Sequence, residues 1–445
     1  MQPPFDVDLS RKDPGRRTFL PSLFTCWTCA LPLALMLLVA ACGDEPLEAC
    51  SGNPSAGYGE GGECTQGFIP VAASTAHKPQ SKLWYAEGSW WAALPDERGV
   101  RLWEFNGSDW SAAGDPEVLS GTTSQTQCDV VVRQNMLVIL TVEPIPRSGP
   151  TPQQGLDDQS AGAASVHAFR FENGRYRLLE DFPIHLDLPG RARTMTADID
   201  TAGRIWIGYV QESTGNVLAR WLEPTRSAGD GAPRLSEPVV LAGGTDNEDI
   251  CSVLAFSAQI GVMWSDENAD AFFFRTRRDV DDPHDWQAAE MVAQGGGVGD
   301  NHINLATESN GRIWAVTKDS VDRFTLRRRN SAGRWDLAVP VLPSGRIGTR
   351  PIVVVAEELG TGYVAYTHWP STVWDRVSRK PHTIRMREFI LDTGVMGRET
   401  RVLAGERAFN NVTSTKQPAD AESGLLIAAG DRTRVGYLWL SLPRP

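Results

Sequence analysis

The stretch that decides the fold runs from 300 to 342 and reads DNHINLATESNGRIWAVTKDSVDRFTLRRRNSAGRWDLAVPVL. It contains four short runs rich in apolar, β-branched and aromatic residues. Turn residues separate these runs, among them Asn310-Gly311 and the segment 331–333. Such runs are typical of β-strands, and their spacing leaves no room for a helix. The stretch therefore predicts one structural unit made of four short strands.

The same plan recurs along the chain. The units begin near Lys78, Asp129, Arg193, Asp249, Asp300, Arg350 and Thr413. The last unit offers only three strands, whereas the strand-like segment 67–74, GFIPVAAS, precedes the first unit and belongs to none. If this segment is the outer strand of the last unit, a ring closes and no sheet edge stays exposed. We therefore predict an all-β, seven-bladed β-propeller over 67–445, closed by its N-terminal strand, with six blades as the alternative.

Four tryptophans fall in the second strand of their units: Trp91, Trp206, Trp264 and Trp314. Large aromatic side chains at such regular positions more often fill a core than bind a ligand. We expect them to pack between neighbouring blades.

Composition restricts the partners. The chain has 445 residues and a net charge of -12, and this acidity argues against nucleic acid as a ligand. The sequence after the N-terminal segment contains no CxxC pair, no HExxH motif and no phosphate-binding loop, so no cofactor is predicted. Alternate carboxylates in 279–285 suggest a calcium loop, but the glycine and distal glutamate of an EF-hand are missing, which favours an acidic surface turn and no metal.

The N-terminal segment 1–41 has the features of a signal peptide, with basic residues up to Arg17 and an apolar run from Ala30 to Ala41. The run ends in Val39-Ala40-Ala41-Cys42, which resembles a bacterial lipoprotein cleavage site. That resemblance implies lipidation of Cys42, an extracytoplasmic location and a membrane anchor, in the outer membrane if the cell is Gram-negative. Arg16-Arg17 leaves the twin-arginine export route open beside the general one.

The segment 42–66 is rich in Ser, Gly, Asn and Pro and is predicted to be a flexible tether. Cys50 and Cys64 lie in it and can pair outside the cytoplasm. Cys128 and Cys251 begin the inner strands of units two and four, and a whole blade stands between them. Because a disulfide needs Cα atoms within roughly 7 Å, we predict two buried free thiols at these positions.

Several strings, taken in order, resemble those of one group of proteins. They are KPQSKLWY from Lys78, IGVMWSDE from Ile260, DNHINL from Asp300, TRPIVV from Thr349 and TSTKQ from Thr413. The group consists of secreted bacterial β-propeller proteins, loosely similar to sialidases, to which no activity is assigned. The resemblance therefore implies the fold and supplies no catalytic residues. The chain is not a true sialidase by sequence, because the sialidase Asp box is not intact; NSAGRW from Asn330 is only a remnant.

Most of these strings lie at or just before an inner strand, where the blades of a propeller converge on the central channel. We therefore expect a site at one channel mouth. The predicted ligand-binding residues are Lys78, Gln80, Asp129, Arg193, Glu248, Asn304, Arg350 and Lys416. Lys82, Thr415 and Gln417 belong to the same set. The catalytic candidates are Asp249, Asp300 and His302.

These residue types suit particular chemistry. Asp249 and Asp300 can act as an acid and base pair for glycoside cleavage, and His302 can transfer protons. Arg193, Arg350 and Lys78 can hold a carboxylate or sulfate group. The alternative is that the polar ends of the inner strands only solvate the channel and tie the blades together. The first hypothesis is a monomeric module that binds a glycan or a protein; the second is a hydrolase or lyase acting on an anionic polysaccharide.

Overall fold

The computed structural model describes residues 63–71, 75, 78–133, 135–145, 160–188, 191–223, 233–370, 381–431 and 433–444. All of them belong to one compact unit, Glu45–Pro445. The predicted signal peptide, Cys42 and Cys50 lie outside the described residues.

Apart from one short 3₁₀ helix, Glu357–Leu359, the regular secondary structure of the described residues is all β-strand. The first fourteen strands are β1 Cys64–Ile69, β2 Leu83–Ala86, β3 Ser89–Asp96, β4 Gly99–Phe105, β5 Trp110–Ala113, β6 Gln127–Arg133, β7 Met136–Ile145, β8 Ser160–Glu172, β9 Arg175–Leu178, β10 Ile184–Leu186, β11 Ala192–Ile199, β12 Ile205–Gln211, β13 Asn216–Leu222 and β14 Val239–Ala242. The others are β15 Cys251–Phe256, β16 Gln259–Asp266, β17 Ala271–Arg278, β18 Glu290–Gln294, β19 Ile303–Thr307, β20 Ile313–Lys318, β21 Phe324–Arg329, β22 Trp335–Pro340, β23 Ile347–Ala356, β24 Thr361–Trp369, β25 Thr383–Ile390, β26 Met396–Leu403, β27 Asn410–Thr413, β28 Leu425–Gly430 and β29 Val435–Leu440.

These strands form seven antiparallel blades arranged in a ring, so the chain is a seven-bladed β-propeller, as predicted. Blades one and two comprise β2–β5 and β6–β10, and the next four blades comprise β11–β14, β15–β18, β19–β22 and β23–β26. Blade seven has the order β27, β28, β29, β1 from the channel outward. The first strand of each blade lines the central channel. Among the described residues, no helix is long and apolar enough to cross a membrane.

The N-terminal strand closes the ring. β1 pairs antiparallel with β29, from Cys64 opposite Leu440 to Ile69 opposite Val435. β1 therefore begins three residues before the predicted segment 67–74 and ends at Ile69. Pro70 accounts for the shift, because proline has no N–H to donate to a neighbouring strand and the ladder stops before it.

Blades two and three share one continuous sheet. β8 has 13 residues, and its first part extends beyond the blade so that Ala161 pairs with Ala192 of β11.

The tryptophans pack as predicted. Trp91, Trp206, Trp264 and Trp314 each lie in the second strand of a blade and are at most 2% exposed. Two of the indoles are also anchored by a carboxylate six residues earlier: Trp206 Nε1 donates to Asp200 Oδ2 at 2.9 Å, and Trp314 Nε1 donates to Glu308 Oε1 at 2.7 Å. The recurring turn between first and second strands thus satisfies the only polar atom of a buried ring.

The cysteines agree with the prediction where the structure describes them. Cys128 and Cys251 are buried and unbridged. Cys64 is disulfide-bonded, and its partner lies outside the described residues, so the pairing with Cys50 stays a prediction.

Because the reactive species is the thiolate, both buried thiols should resist alkylation. Burial raises the pKa of Cys128 to about 12 and also raises that of Cys251. We expect iodoacetamide at neutral pH to label neither residue in the native protein and to label both after denaturation. Peptide mapping by mass spectrometry measures this, and rapid native labelling of either cysteine would contradict the packing described here.

Candidate functional site

The segment 78–82 fills the upper part of the channel, where "upper" denotes the face at which the inner strands begin. It leads from β1 to β2 and reaches the opposite side of the ring. Gln80 Nε2 donates to Met195 O at 2.8 Å in blade three, and Asn304 Nδ2 donates to Pro79 O at 3.2 Å in blade five. We call residues 78–82 the plug. Any ligand at the upper mouth meets the plug and not an open channel.

Asp129 ties the plug to three blades. Its carboxylate accepts the Ser81 N–H at 2.9 Å, the Ala197 N–H at 2.8 Å and the Lys416 ammonium at 2.6 Å. Lys416 Nζ also donates to Ala197 O at 2.8 Å. Asp129 is 1% exposed. The contacts of Asp129 and Lys416, two predicted ligand-binding residues, are therefore those of an internal cross-link.

Two side chains of the plug point into the protein. Lys82 Nζ donates to Gln80 Oε1 at 3.0 Å and to the Cys128 carbonyl, and both side chains are almost fully buried. Burial lowers the pKa of Lys82 to about 8. The cavity beneath the plug lies between it, the inner strands of blades four to six and residues 414–416 of blade seven. Its volume is about 10 Å³, roughly the room of one water molecule. Gln80 and Lys82 thus hold the plug in place.

Residues 415–417 lie toward the lower end of the channel, because β27 has only four residues and the loop to β28 follows it there. Gln417 bonds to both backbone groups of Tyr85, at 2.9 and 3.0 Å. Sequence alone placed Thr415, Lys416 and Gln417 at the same mouth as Asp300. The structure puts them at the end where the inner strands finish.

The upper mouth holds a polar cluster around Asp300. Asp300 Oδ2 contacts Lys318 Nζ at 2.7 Å, and its other oxygen contacts His302 Nδ1. His302 Nε2 lies 2.9 Å from Thr349 Oγ1, which links blade five to blade six. Lys318 also pairs with Asp322 at 2.8 Å. Burial raises the pKa of Asp300 even though Lys318 opposes the shift.

Basic groups line a shallow depression beside this cluster. Lys78, His302 and Arg350 contribute to its walls together with Pro79. Arg350 has a φ of 53°, in the left-handed region, where the register of β23 against β24 shifts. A residue other than glycine in this conformation is uncommon, and such outliers cluster at functional sites. Lys78 donates to Asn301 Oδ1 and is half-buried.

Asp249 lies near the upper mouth but is fully buried. Its carboxylate accepts the N–H groups of Asp246 at 2.7 Å and of Glu267 at 3.1 Å. Burial raises the pKa of Asp249 to about 6. This geometry favours a role in shaping the loops around it, among them the one that carries Glu248, whose N–H donates to Asp246 Oδ1 at 2.8 Å.

Glu267 is a residue that the sequence reasoning missed. It follows β16 directly and is exposed on the upper face. Partial burial, followed by the charges of Asp249 and Asp300, raises the pKa of its carboxyl group to about 7. The only signal in the sequence was its position at the end of the string IGVMWSDE. It brings a carboxyl group that is half protonated near neutral pH to the mouth.

The raised pKa of Glu267 predicts a pH dependence of stability. The folded protein keeps this proton up to about pH 7, whereas the unfolded chain releases it near the ordinary value of 4.5. The contribution of this proton to the free energy of unfolding is fully present below pH 4.5 and is lost as the pH rises through about 7. Glu267→Gln cannot ionise and avoids this loss. Its free energy of unfolding relative to that of wild type should therefore be higher at about pH 8 than at about pH 5.

Urea unfolding at both pH values measures this difference, and Glu172→Gln, at an exposed position on blade two, controls for the loss of one surface charge. An equal effect of Glu267→Gln at both pH values would contradict the raised pKa.

Two predicted residues remain. Asn304 is committed to the fold, since its Oδ1 accepts the Val353 N–H at 2.9 Å and its Nδ2 holds the plug. Arg193 belongs to β11, and its side chain lies outside the described part.

The acidic turn 279–285 makes contacts with protein groups. Asp279 Oδ2 accepts the Thr201 N–H and O–H at 2.9 and 2.7 Å, and Asp281 pairs with Arg278 at 2.7 Å. In the described part of the chain no three potential metal ligands cluster.

Comparison with known proteins supports the fold alone. No family model and no curated protein matches the sequence. Among solved structures, the BP39L lectin from Burkholderia pseudomallei has a TM-score of 0.52 at 14% identity, over 79% of this chain and 96% of the lectin. Two other structures have lower TM-scores. The polysaccharide lyase Uly1 has a TM-score of 0.44 at 11% identity, over 82% of this chain and 91% of the lyase, and a Trypanosoma rangeli sialidase has a TM-score of 0.42 at 11% identity, over 75% of this chain and 59% of the sialidase.

Proposed function

We propose that this propeller is a cell-surface module that binds an anionic glycan at its upper mouth. The depression lined by Lys78, His302 and Arg350 carries the proposal. A guanidinium group matches a carboxylate or sulfate through two parallel hydrogen bonds, and an ammonium group adds a point charge.

The net charge of -12 does not oppose this proposal. At physiological ionic strength, exposed charges separated by more than about 8 Å are largely screened from one another. A bound sulfate or carboxylate therefore responds mainly to the groups in contact with it, while the acidic remainder of the surface disfavours long polyanions such as nucleic acid.

A glycan array probed with residues 45–445 tests the proposal. We expect carboxylated or sulfated glycans to bind and their neutral counterparts to be silent, and we expect Arg350→Ala to abolish the signal. Arg98→Ala is the matched control, because Arg98 is a half-exposed arginine that pairs with Glu117 on blade one and does not line the depression. Binding of neutral glycans alone, no binding at all, or equal binding by Arg350→Ala would contradict the proposal.

Glu267 favours a second candidate function, cleavage of an anionic polysaccharide. A carboxyl group with a pKa of about 7 can donate a proton at neutral pH, and the neighbouring Asp300 can act as the second carboxylate. Release of new reducing ends from an array-positive polysaccharide, lost in Glu267→Gln, would establish the activity. Binding without cleavage by wild type would leave only the binding function.

The predicted lipid anchor at Cys42 is part of the same proposal. Lipidation of Cys42 would place the module on an extracytoplasmic membrane surface, with 42–63 as the tether to the first strand. Metabolic labelling with a palmitate analogue should mark wild type and not Cys42→Ser. Equal labelling of the two would contradict the anchor and leave the glycan site untouched.

A further inference from the structure

Two threonines lie opposite each other in the ladder between β23 and β24, and their hydroxyl groups have different surroundings. Thr349 pairs with Thr367, and both residues are at most 2% exposed. The Thr367 hydroxyl makes no hydrogen bond to any residue that the structure describes. The Thr349 hydroxyl lies 2.9 Å from His302 Nε2 and 3.4 Å from Arg350 Nη1. Thr349 therefore lies between the polar cluster of blade five and a guanidinium group of the depression.

The carboxylate of Asp300 sets the direction of these hydrogen bonds. Its contact with Lys318 at 2.7 Å favours the ionised form, which only accepts hydrogen bonds, so His302 Nδ1 carries the proton that faces it. In the neutral ring Nε2 is then an acceptor, and the Thr349 hydroxyl donates to it. With its proton directed at the ring, the hydroxyl oxygen accepts from the Arg350 N–H. A directed chain of hydrogen bonds thus runs from Arg350 to Asp300.

The backbone of Arg350 is fixed by its neighbours, whereas its side chain needs contacts of its own. Thr349 is the last residue paired with β24 before the register shift, and the pairing resumes at Ile352. Arg350 has a φ of 53° within that shift, and Pro351, whose ring restricts its own φ, follows it. Ordering a long side chain when a ligand binds costs free energy. A contact that orders the guanidinium group beforehand lowers this cost.

We propose that Thr349 is a positioning residue of the glycan site, whose hydroxyl orients the Arg350 guanidinium group for a bidentate contact with a carboxylate or sulfate group. His302 and Asp300 hold that hydroxyl in turn. The inference rests on the proposed glycan-binding function and adds the group that sets the geometry of its cation. Thr349 is buried and is not among the residues that line the depression, so it acts through Arg350 and not by touching the glycan.

Calorimetry on residues 45–445 tests this role, with the carboxylated or sulfated glycan that gives the strongest signal on the array. Thr349→Val removes the hydroxyl and keeps the branched shape, and it should weaken binding about fivefold, the effect of losing one hydrogen bond. Thr349→Ala repeats the test if Thr349→Val does not fold. Thr349→Ser keeps the hydroxyl and should restore most of the affinity. Thr367→Val is the matched control, because it removes the buried hydroxyl directly opposite, and it should bind as wild type does.

A double-mutant cycle separates positioning from a general effect on the fold. Arg350→Lys replaces the planar group with a point charge that has no bidentate geometry to lose. Thr349→Val should therefore cost much less affinity in the Arg350→Lys background than in wild type. An equal loss in both backgrounds, no loss in Thr349→Val, or a loss that Thr349→Ser does not restore would overturn the positioning role. A wild type that binds no carboxylated or sulfated glycan would instead overturn the proposed function.

Discussion

Asp129→Ala is expected to lower the free energy of unfolding by about 3 to 5 kcal/mol, the range measured when one partner of a buried ion pair is removed. The substitution leaves three donors without their acceptor: the Ser81 and Ala197 N–H groups and the Lys416 ammonium. The three groups belong to the plug, to blade three and to the loop of blade seven. The loss should therefore loosen the centre of the ring and not one local turn.

Urea unfolding measures this effect. The matched control is Asp336→Ala, which breaks a partly exposed pair with Arg328 at 3.0 Å and should cost less than about 1 kcal/mol. If Asp129→Ala costs no more than the control, the carboxylate does not tie the blades together, and its assignment to ligand binding regains support.

Removal of the closing strand should have the other large effect. Deleting residues 45–69 takes away β1 and leaves β29 as an exposed edge that pairs readily with another chain. The fully buried Ile69 is lost as well, and burial of such a side chain contributes about 1.5 to 3 kcal/mol. We expect a melting temperature several degrees lower and dimers or larger aggregates in place of a monomer.

Light scattering and thermal melts measure the outcome. The control is a deletion of 45–62 combined with Cys64→Ser, which removes most of the predicted tether and the disulfide of Cys64 but keeps β1. A deletion of 45–69 that melts like this control and stays monomeric would show that β1 does not close the ring.

Most of the fold could be predicted from local sequence patterns. Turn signals such as Asn310-Gly311, where Gly311 adopts a φ of 84°, mark the strand ends and so the blades. The bounds of β1 were missed because the apolar run 67–74 continues past Pro70, which has no N–H with which to extend the ladder.

The site was predictable only in part, because its contacts join distant parts of the chain. The bond from Gln80 to Met195 spans 115 residues, and that from Lys416 to Asp129 spans 287. No local pattern shows that the plug crosses the channel. The sequence therefore does not show which polar strand ends the plug covers. Glu267 was missed for the same reason, since the charges that raise its pKa come from Asp249 and Asp300.

The most direct test of the central proposal is a calorimetric titration of the strongest anionic glycan from the array into wild type and into the double variant Lys78→Ala, Arg350→Ala. Melting curves of the two proteins should coincide within a few degrees, because both side chains are half-buried at the mouth. We predict at least a tenfold loss of affinity in the variant, and weaker wild-type binding at about pH 8 than at about pH 6, because Glu267 ionises between them and repels the ligand. Equal affinity of the folded variant and wild type would contradict the proposal that the upper mouth binds an anionic glycan.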